Sequence, residues 1–113
     1  MKELIEYFVK NLEHKKHIYE LLDRVKLVLT IGNERESCSI YIDNGMVSMS
    51  PIVMEKNPMK VIIQGNCEAI SLLLNGRLKL REGTIRDELQ VMGSFRNKLL
   101  LESVFYLGGK SRF

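Results

Sequence analysis

The sequence predicts an α+β fold, with a single antiparallel sheet of about five strands and helices packed mainly on one face. Apolar residues recur at helical spacing near the start of the chain and in two later segments. In the segments between these helices, apolar residues alternate with other residues, which is the pattern of a strand. Short turn dipeptides join the alternating segments, and strands joined by tight hairpins run antiparallel. The 113 residues, 45% of them hydrophobic, can form one core, and we expect one domain over residues 1–113.

A long helix is predicted over residues 2–23. Leu4, Phe8 and Leu12 recur every four residues, and Leu22 continues the apolar stripe further along. Lys and Glu fill the opposite face, and neither Gly nor Pro interrupts the segment. One continuous amphipathic helix is therefore expected.

Four strands are predicted after this helix. Asn44 and Gly45 form the strongest hairpin signal, because both residues tolerate the positive φ of a type I′ turn. Pro51 falls within the third strand, which is therefore expected at a sheet edge or bent there. The predicted strands are residues 25–31, 38–43, 46–54 and 59–64.

The second half returns to helical spacing. Asn66 is the predicted N-cap of a Leu-rich helix, and Asn75-Gly76 is its stop signal. Gly108-Gly109 is expected to end the last helix. The predicted segments are a helix over 67–74, a charged connector over 77–83, a strand over 84–92 and a closing helix over 95–107.

Catalytic and metal-binding arrangements are not expected. His14 and His17 are three residues apart in a Lys-rich stretch, but no further ligands accompany them. Asp87 and Glu88 are adjacent on a predicted strand, so their side chains point to opposite faces and cannot act on one substrate. We therefore expect no enzyme activity, no metal and no cofactor.

Charge and cysteine content narrow the function classes further. The net charge of +3 comes from the second half of the chain, but the basic residues at 77–81 lack an aromatic stacking platform, so no nucleic-acid partner is expected. Cys38 and Cys67 lie in apolar segments and are expected to be free core thiols. Acidic residues near the N-terminus do not fit an export signal, and we expect a cytoplasmic protein.

The segment Val61–Gly76 (VIIQGNCEAISLLLNG) resembles the sterol carrier protein, or nonspecific lipid-transfer, domain family. Members of that family have a strand ending in Gly-Asp, then a Leu-rich helix ending in Gly. The resemblance continues through Leu89–Ser94 into the closing helix and implies the order α-β-β-β-β-α-β-α over nearly the whole chain. Asn66 replaces the usual Asp, and the connector lacks the short Pro-led segment found in many members.

This resemblance implies a small intracellular lipid-binding or lipid-carrier protein that performs no catalysis. The ligand would be a fatty acid, an acyl-CoA or a sterol-like molecule, held in an apolar cavity between sheet and helices. The implied partners are this apolar small molecule and, at most transiently, a membrane, with the protein a monomer or a homodimer. The lining residues, assigned by position in the matching elements, are Met49, Met54, Ile70, Leu73, Leu74, Val91, Leu100, Val104 and Phe105.

Two other functions are considered. A non-catalytic interaction module would have a filled core and use the Leu-rich last helix for self-association or for binding a partner subunit. A thioesterase-like enzyme is disfavoured, because that class wraps its sheet around a long helix placed after an early strand. Here the longest predicted helix comes first.

Overall fold

The computed structural model describes residues 2–13, 15–51 and 58–109. It has a five-stranded sheet in the order β3-β2-β1-β4-β5, with the helices packed on one face. The α+β class is therefore confirmed. The elements in chain order are α1 (Lys2–Glu13), α2 (Lys16–Leu21), β1 (Lys26–Gly32), β2 (Ser37–Asp43), β3 (Met46–Ser48), β4 (Met59–Gly65), α3 (Cys67–Leu74), α4 (Leu80–Ile85), β5 (Leu89–Met92) and α5 (Phe95–Gly109).

The helical face of the sheet carries the core. Burial alternates along β1, as expected for a strand with one face covered. The buried apolar side chains of the sheet are Leu27, Leu29, Ile31, Ile40, Ile42, Val47, Val61, Ile63 and Leu89. Within the described part of the chain, no helix has the length and apolar character that crossing a bilayer requires.

The predicted hairpin between β2 and β3 is confirmed. Asn44 has φ +48° and Gly45 has φ +89°, the two positive values that a type I′ turn needs. The third strand ends at Ser48, before Pro51, and lies at the sheet edge as predicted. The prediction of a strand is wrong for residues 49–51, and residues 52–54 lie outside the described residues.

The prediction of a wholly antiparallel sheet is wrong for one pair of strands. β1 and β4 run parallel, with Leu27 opposite Met59. The hairpin argument applies only to consecutive strands, and β4 does not pair with β3. The chain places β2 and β3 on one side of β1 and returns on its other side, so β4 enters the sheet in the same direction as β1.

The predicted first helix is in fact two helices. α1 ends at Glu13 and α2 begins at Lys16, after Lys15 in an extended conformation. Leu12 and Ile18 are both buried, although six residues apart they would face different directions on one straight helix. The break lets both side chains reach the core.

The Lys15 side chain also ties the start of the chain to the end of α5. Its Nζ donates to the backbone carbonyl oxygens of Leu107 at 3.0 Å and Gly108 at 3.3 Å. A cation at the carboxyl end of a helix satisfies terminal carbonyls and opposes the helix dipole favourably. α5 continues through Gly108, which was predicted to end it. A Cβ at Gly108 would collide with Cδ2 of Leu12, so this glycine permits close helix packing.

The segment between α3 and β5 also differs from the prediction. Residues 80–85 form α4, and β5 is limited to Leu89–Met92 instead of starting at residue 84. Leu80 and Gly83 are one helical turn apart, and both are buried. This burial stabilises a helix that the charged sequence does not indicate.

Asn66→Ala is expected to lower the free energy of unfolding by about 1 kcal/mol, because Asn66 Oδ1 accepts the backbone N–H of Ala69 at 2.7 Å and caps α3 as predicted. Urea unfolding of both proteins measures the difference. Asn66→Asp is the control, because Asp caps a helix equally well. An equal loss of unfolding free energy in Asn66→Ala and Asn66→Asp would contradict the capping role.

Candidate functional site

A cleft lies between α4, β5 and α5, at the edge of the core. Its volume is about 250 Å³. It is lined by Leu80, Arg81, Thr84, Val91, Phe95, Lys98, Leu99 and Glu102.

Apolar side chains form most of the cleft. Leu80 is buried and Val91 is half-buried, while Phe95 and Leu99 lie one turn apart at the start of α5. Val91 is on the core face of β5, so the cleft continues the apolar layer between the sheet and the helices. The cleft can therefore receive an apolar group from solvent.

Gly83 sets the position of α4 against β5. A Cβ at Gly83 would collide with Cδ1 of Leu89 and would lie 2.8 Å from its Cγ. Only a residue without a side chain lets the Leu89 side chain pack this closely against the backbone of α4. The separation of α4 and β5, and with it the shape of the cleft, therefore depends on Gly83.

Charged groups surround this apolar lining. Glu102 Oε1 accepts the backbone N–H of Arg81 at 3.0 Å, which satisfies a terminal donor of α4 and links α4 to α5. The side chains of Arg81 and Lys98 have no ion-pair partner among the described residues. An apolar cleft with two cations at its border suits a molecule with an apolar body and an anionic head.

A second, polar pocket of about 520 Å³ lies at the carboxyl end of β4. Asn33 Nδ2 donates to Cys67 Sγ at 3.3 Å within it. Its lining contains no aliphatic side chain, so despite its greater volume it does not suit an apolar ligand. It is lined by Asn33, Glu34, Arg35, Gln64, Gly65, Asn66, Cys67, Asp87, Glu88 and Gln90.

The two cysteines are both free thiols, as predicted. The expectation that both lie in the core is wrong for Cys67, which is exposed because it occupies the first turn of α3. Cys38 is half-buried against the core. The described residues contain no cluster of three or more His, Cys, Asp or Glu able to hold a metal ion.

The predicted lining residues fall into four groups. Val91 lines the cleft, and Met49 and Leu100 are half-buried against the core. Met54 lies outside the described residues. The others are at most 4% exposed, belong to the core and are not among the residues that line the cleft: Ile70, Leu73, Leu74, Val104 and Phe105. Their contact with a ligand stays a prediction.

Seven of the eight residues that line the cleft were not predicted from the sequence. Those on α4 were missed because residues 77–83 read as a connector and residue 84 as the start of a strand. The sequence signal that could have indicated these residues is a four-residue spacing, which separates Leu80 from Thr84 and Phe95 from Leu99. This spacing places each pair on one helix face, but it does not show that the two faces meet.

No family model matches the chain, and no curated protein matches its sequence. Several solved structures share its fold. A ubiquinone synthesis protein, UbiJ-SCP2, is 13% identical, with a TM-score of 0.65 over 91% of this chain and 85% of that one. Sterol carrier protein 2 from Yarrowia lipolytica is 15% identical, with a TM-score of 0.62 over 94% and 89% of the two chains.

The sterol carrier protein domain 2 of Helicoverpa armigera adds a third example, at 14% identity and a TM-score of 0.60 over 94% and 88% of the two chains. At such identities the similarity concerns the fold alone. These matches confirm the structural resemblance that the segment Val61–Gly76 suggested. The chain therefore has the fold of the sterol carrier protein domains.

Proposed function

We propose that the protein is a non-catalytic lipid carrier that holds the apolar part of a fatty acid, an acyl-CoA or a sterol-like molecule in the cleft between α4, β5 and α5. The observation that carries this proposal is the apolar cleft of about 250 Å³ beside the core. The sterol carrier fold supports the same class of ligand. Arg81 and Lys98 would face a carboxylate or phosphate head at the border.

The size of the cleft limits how much ligand it can hold. Its volume equals roughly eight water molecules at about 30 Å³ each and lies below the ~300 Å³ of the smallest drug-sized pockets. Burial of about six methylene groups would favour binding by roughly 5 kcal/mol. We therefore expect a dissociation constant between micromolar and millimolar. The rest of a long acyl chain would lie along the border of the cleft.

Two measurements test the proposal directly. Mass spectrometry of an organic extract of the purified protein would identify a retained lipid, and titration with a fluorescent fatty acid would measure saturable binding. The absence of both a retained lipid and saturable binding would contradict the proposal.

Val91→Asp is expected to weaken fatty-acid binding by about tenfold or more, which corresponds to ~1.4 kcal/mol. The substitution places a carboxylate among the apolar side chains of the cleft and opposite the charge of an anionic ligand. The fluorescent titration measures the loss.

Met92→Asp is the matched control, because Met92 is the next residue of β5, is 54% exposed and points to the opposite face of the sheet. Circular dichroism confirms that both variants fold. If Val91→Asp does not fold, Leu99→Glu introduces the same charge at a half-exposed position of the cleft. Equal binding by the cleft variant and the control would exclude this site.

A second candidate function is an interaction module, and one observation favours it. Ile85, Phe95 and Leu99 are large apolar side chains left exposed near the cleft. Such side chains can form the centre of a protein interface. Light scattering across a range of protein concentrations would detect self-association. Self-association through this surface would compete with fatty-acid binding, which separates the two functions.

A further inference from the structure

We propose that the cleft between α4, β5 and α5 accepts a single acyl chain, and that Leu80 at its inner end sets the length of chain that it accepts. A fatty acid or the acyl group of an acyl-CoA meets this requirement, whereas a sterol-like molecule does not. The role of Leu80 rests on the proposed function and narrows the class of ligand that the protein carries.

Leu80 is the deepest of the side chains that line the cleft. It is 3% exposed and belongs to the hydrophobic core, whereas the other lining residues are half-buried or exposed. Phe95 and Leu99, at 74% and 50% exposed, are the apolar lining residues most open to solvent. A chain that enters the cleft from solvent therefore meets Leu80 last.

The position of Leu80 is fixed by contacts of α4 on two sides. Its neighbour Arg81 donates its backbone N–H to Glu102 Oε1 of α5 at 3.0 Å. One turn further along α4, Gly83 packs so closely against Leu89 of β5 that a Cβ would collide with Cδ1 of that leucine. Leu89 is 1% exposed and is therefore held within the core. A ligand that reaches Leu80 meets a side chain held by packing and not a segment that yields to it.

The volume of the cleft favours an unbranched chain over a ring system. The cleft of about 250 Å³ holds about six methylene groups and is smaller than the ~300 Å³ of the smallest pockets for drug-sized ligands. A flexible chain can fill such a cleft with its end and leave its remaining methylene groups outside. The fused rings of a sterol are rigid, so a cleft of this volume would admit only one edge of them. We therefore expect selectivity for a single acyl chain.

Displacement of a bound fluorescent fatty acid tests this selectivity, with saturated fatty acids from butanoate to dodecanoate as competitors. We expect the affinity to rise about fourfold with each added methylene group while the chain fills the cleft. The rise should end near octanoate, which has about as many methylene groups as the cleft holds. Cholesterol sulfate, an anionic sterol, is expected to compete more weakly than octanoate.

Leu80→Ala opens space at the inner end of the cleft, and the end of the rise is expected to move to a fatty acid about three carbons longer. Leu78→Ala is the matched control, because Leu78 is 5% exposed, belongs to the same core and does not line the cleft. This control loses stability in the same way, but its rise should still end near octanoate. If circular dichroism shows that Leu80→Ala does not fold, Leu80→Val is used, with an expected change of about one carbon.

The dependence of affinity on chain length separates the role of Leu80 from the proposed function. An affinity that continues to rise up to dodecanoate, or cholesterol sulfate competing as strongly as octanoate, would overturn the selectivity and leave the carrier function intact. An unchanged end of the rise in the Leu80 variant, or an equal change in Leu78→Ala, would overturn the role of Leu80 alone. The absence of binding by every fatty acid would overturn both the selectivity and the carrier function.

Discussion

Truncation of Phe105 to alanine is expected to lower the free energy of unfolding by about 3–5 kcal/mol. Phe105 is 1% exposed, and its ring stacks on Phe8 of α1 with the centroids 5.3 Å apart. Removal of the ring leaves a cavity at the contact between α1 and α5, and it also removes an aromatic pair. Urea unfolding followed by circular dichroism measures the change.

This variant also distinguishes a core residue from a residue that lines a cavity. The resemblance to sterol carrier proteins assigns Phe105 to the ligand, whereas the structure packs it against Phe8. Leu107→Ala is the control, because Leu107 lies two residues further on α5 and is 43% exposed. A loss in Phe105→Ala no larger than in the control would show that the ring faces open space.

Gly83→Val is expected to lower the free energy of unfolding by about 2–3 kcal/mol and to abolish fatty-acid binding. The added side chain would occupy the position of Leu89, which is 1% exposed and cannot turn toward solvent. α4 would then have to move away from β5, and the lining of the cleft would separate. Urea unfolding and the fluorescent titration measure the two effects.

Glu82→Val is the matched control for this substitution. It introduces the same β-branched side chain into α4 at an exposed position, where the change in helix propensity and the loss of a first-turn carboxylate each cost roughly a few tenths of a kcal/mol. Unaltered stability and binding in Gly83→Val would show that the contact between Gly83 and Leu89 does not position α4.

The features predicted correctly from the sequence are those in which nearby residues determine the conformation. Asn44 and Gly45 adopt positive φ within their own turn, and the Asn66 side chain bonds to an amide three residues away. The third strand lies at the sheet edge, as Pro51 indicated, although the strand ends before that residue. Each of these signals is read within about four residues of sequence.

The features predicted incorrectly depend on contacts between distant segments. β4 lies beside β1 and not beside β3, and its own sequence gives no indication of this choice. The helix break near Lys15 allows Leu12 and Ile18 to share one core, and Lys15 bonds to carbonyl oxygens more than ninety residues away. None of these partners can be identified from local spacing.

The cleft also depends on contacts between segments that are distant in sequence. Leu80 and Gly83 read as parts of a charged connector until β5 packs against them. Ile70 and Leu73, which the resemblance assigns to the ligand, are buried in the core, and their contact with a ligand stays a prediction. Apolar side chains are required equally for a filled core and for an apolar cavity, so hydrophobicity alone cannot distinguish the two.

The parallel pairing of β1 with β4 has a consequence for the order in which the chain folds. β1 and β2 meet through a short turn, whereas the partners in β1 and β4 are thirty-two residues apart, as in Leu27 and Met59. Loop closure over that distance carries a larger entropic cost than closure of a hairpin. The hairpins should therefore form first. The joining of β1 to β4 should limit the folding rate, because α3, α4, β5 and α5 all follow β4 along the chain.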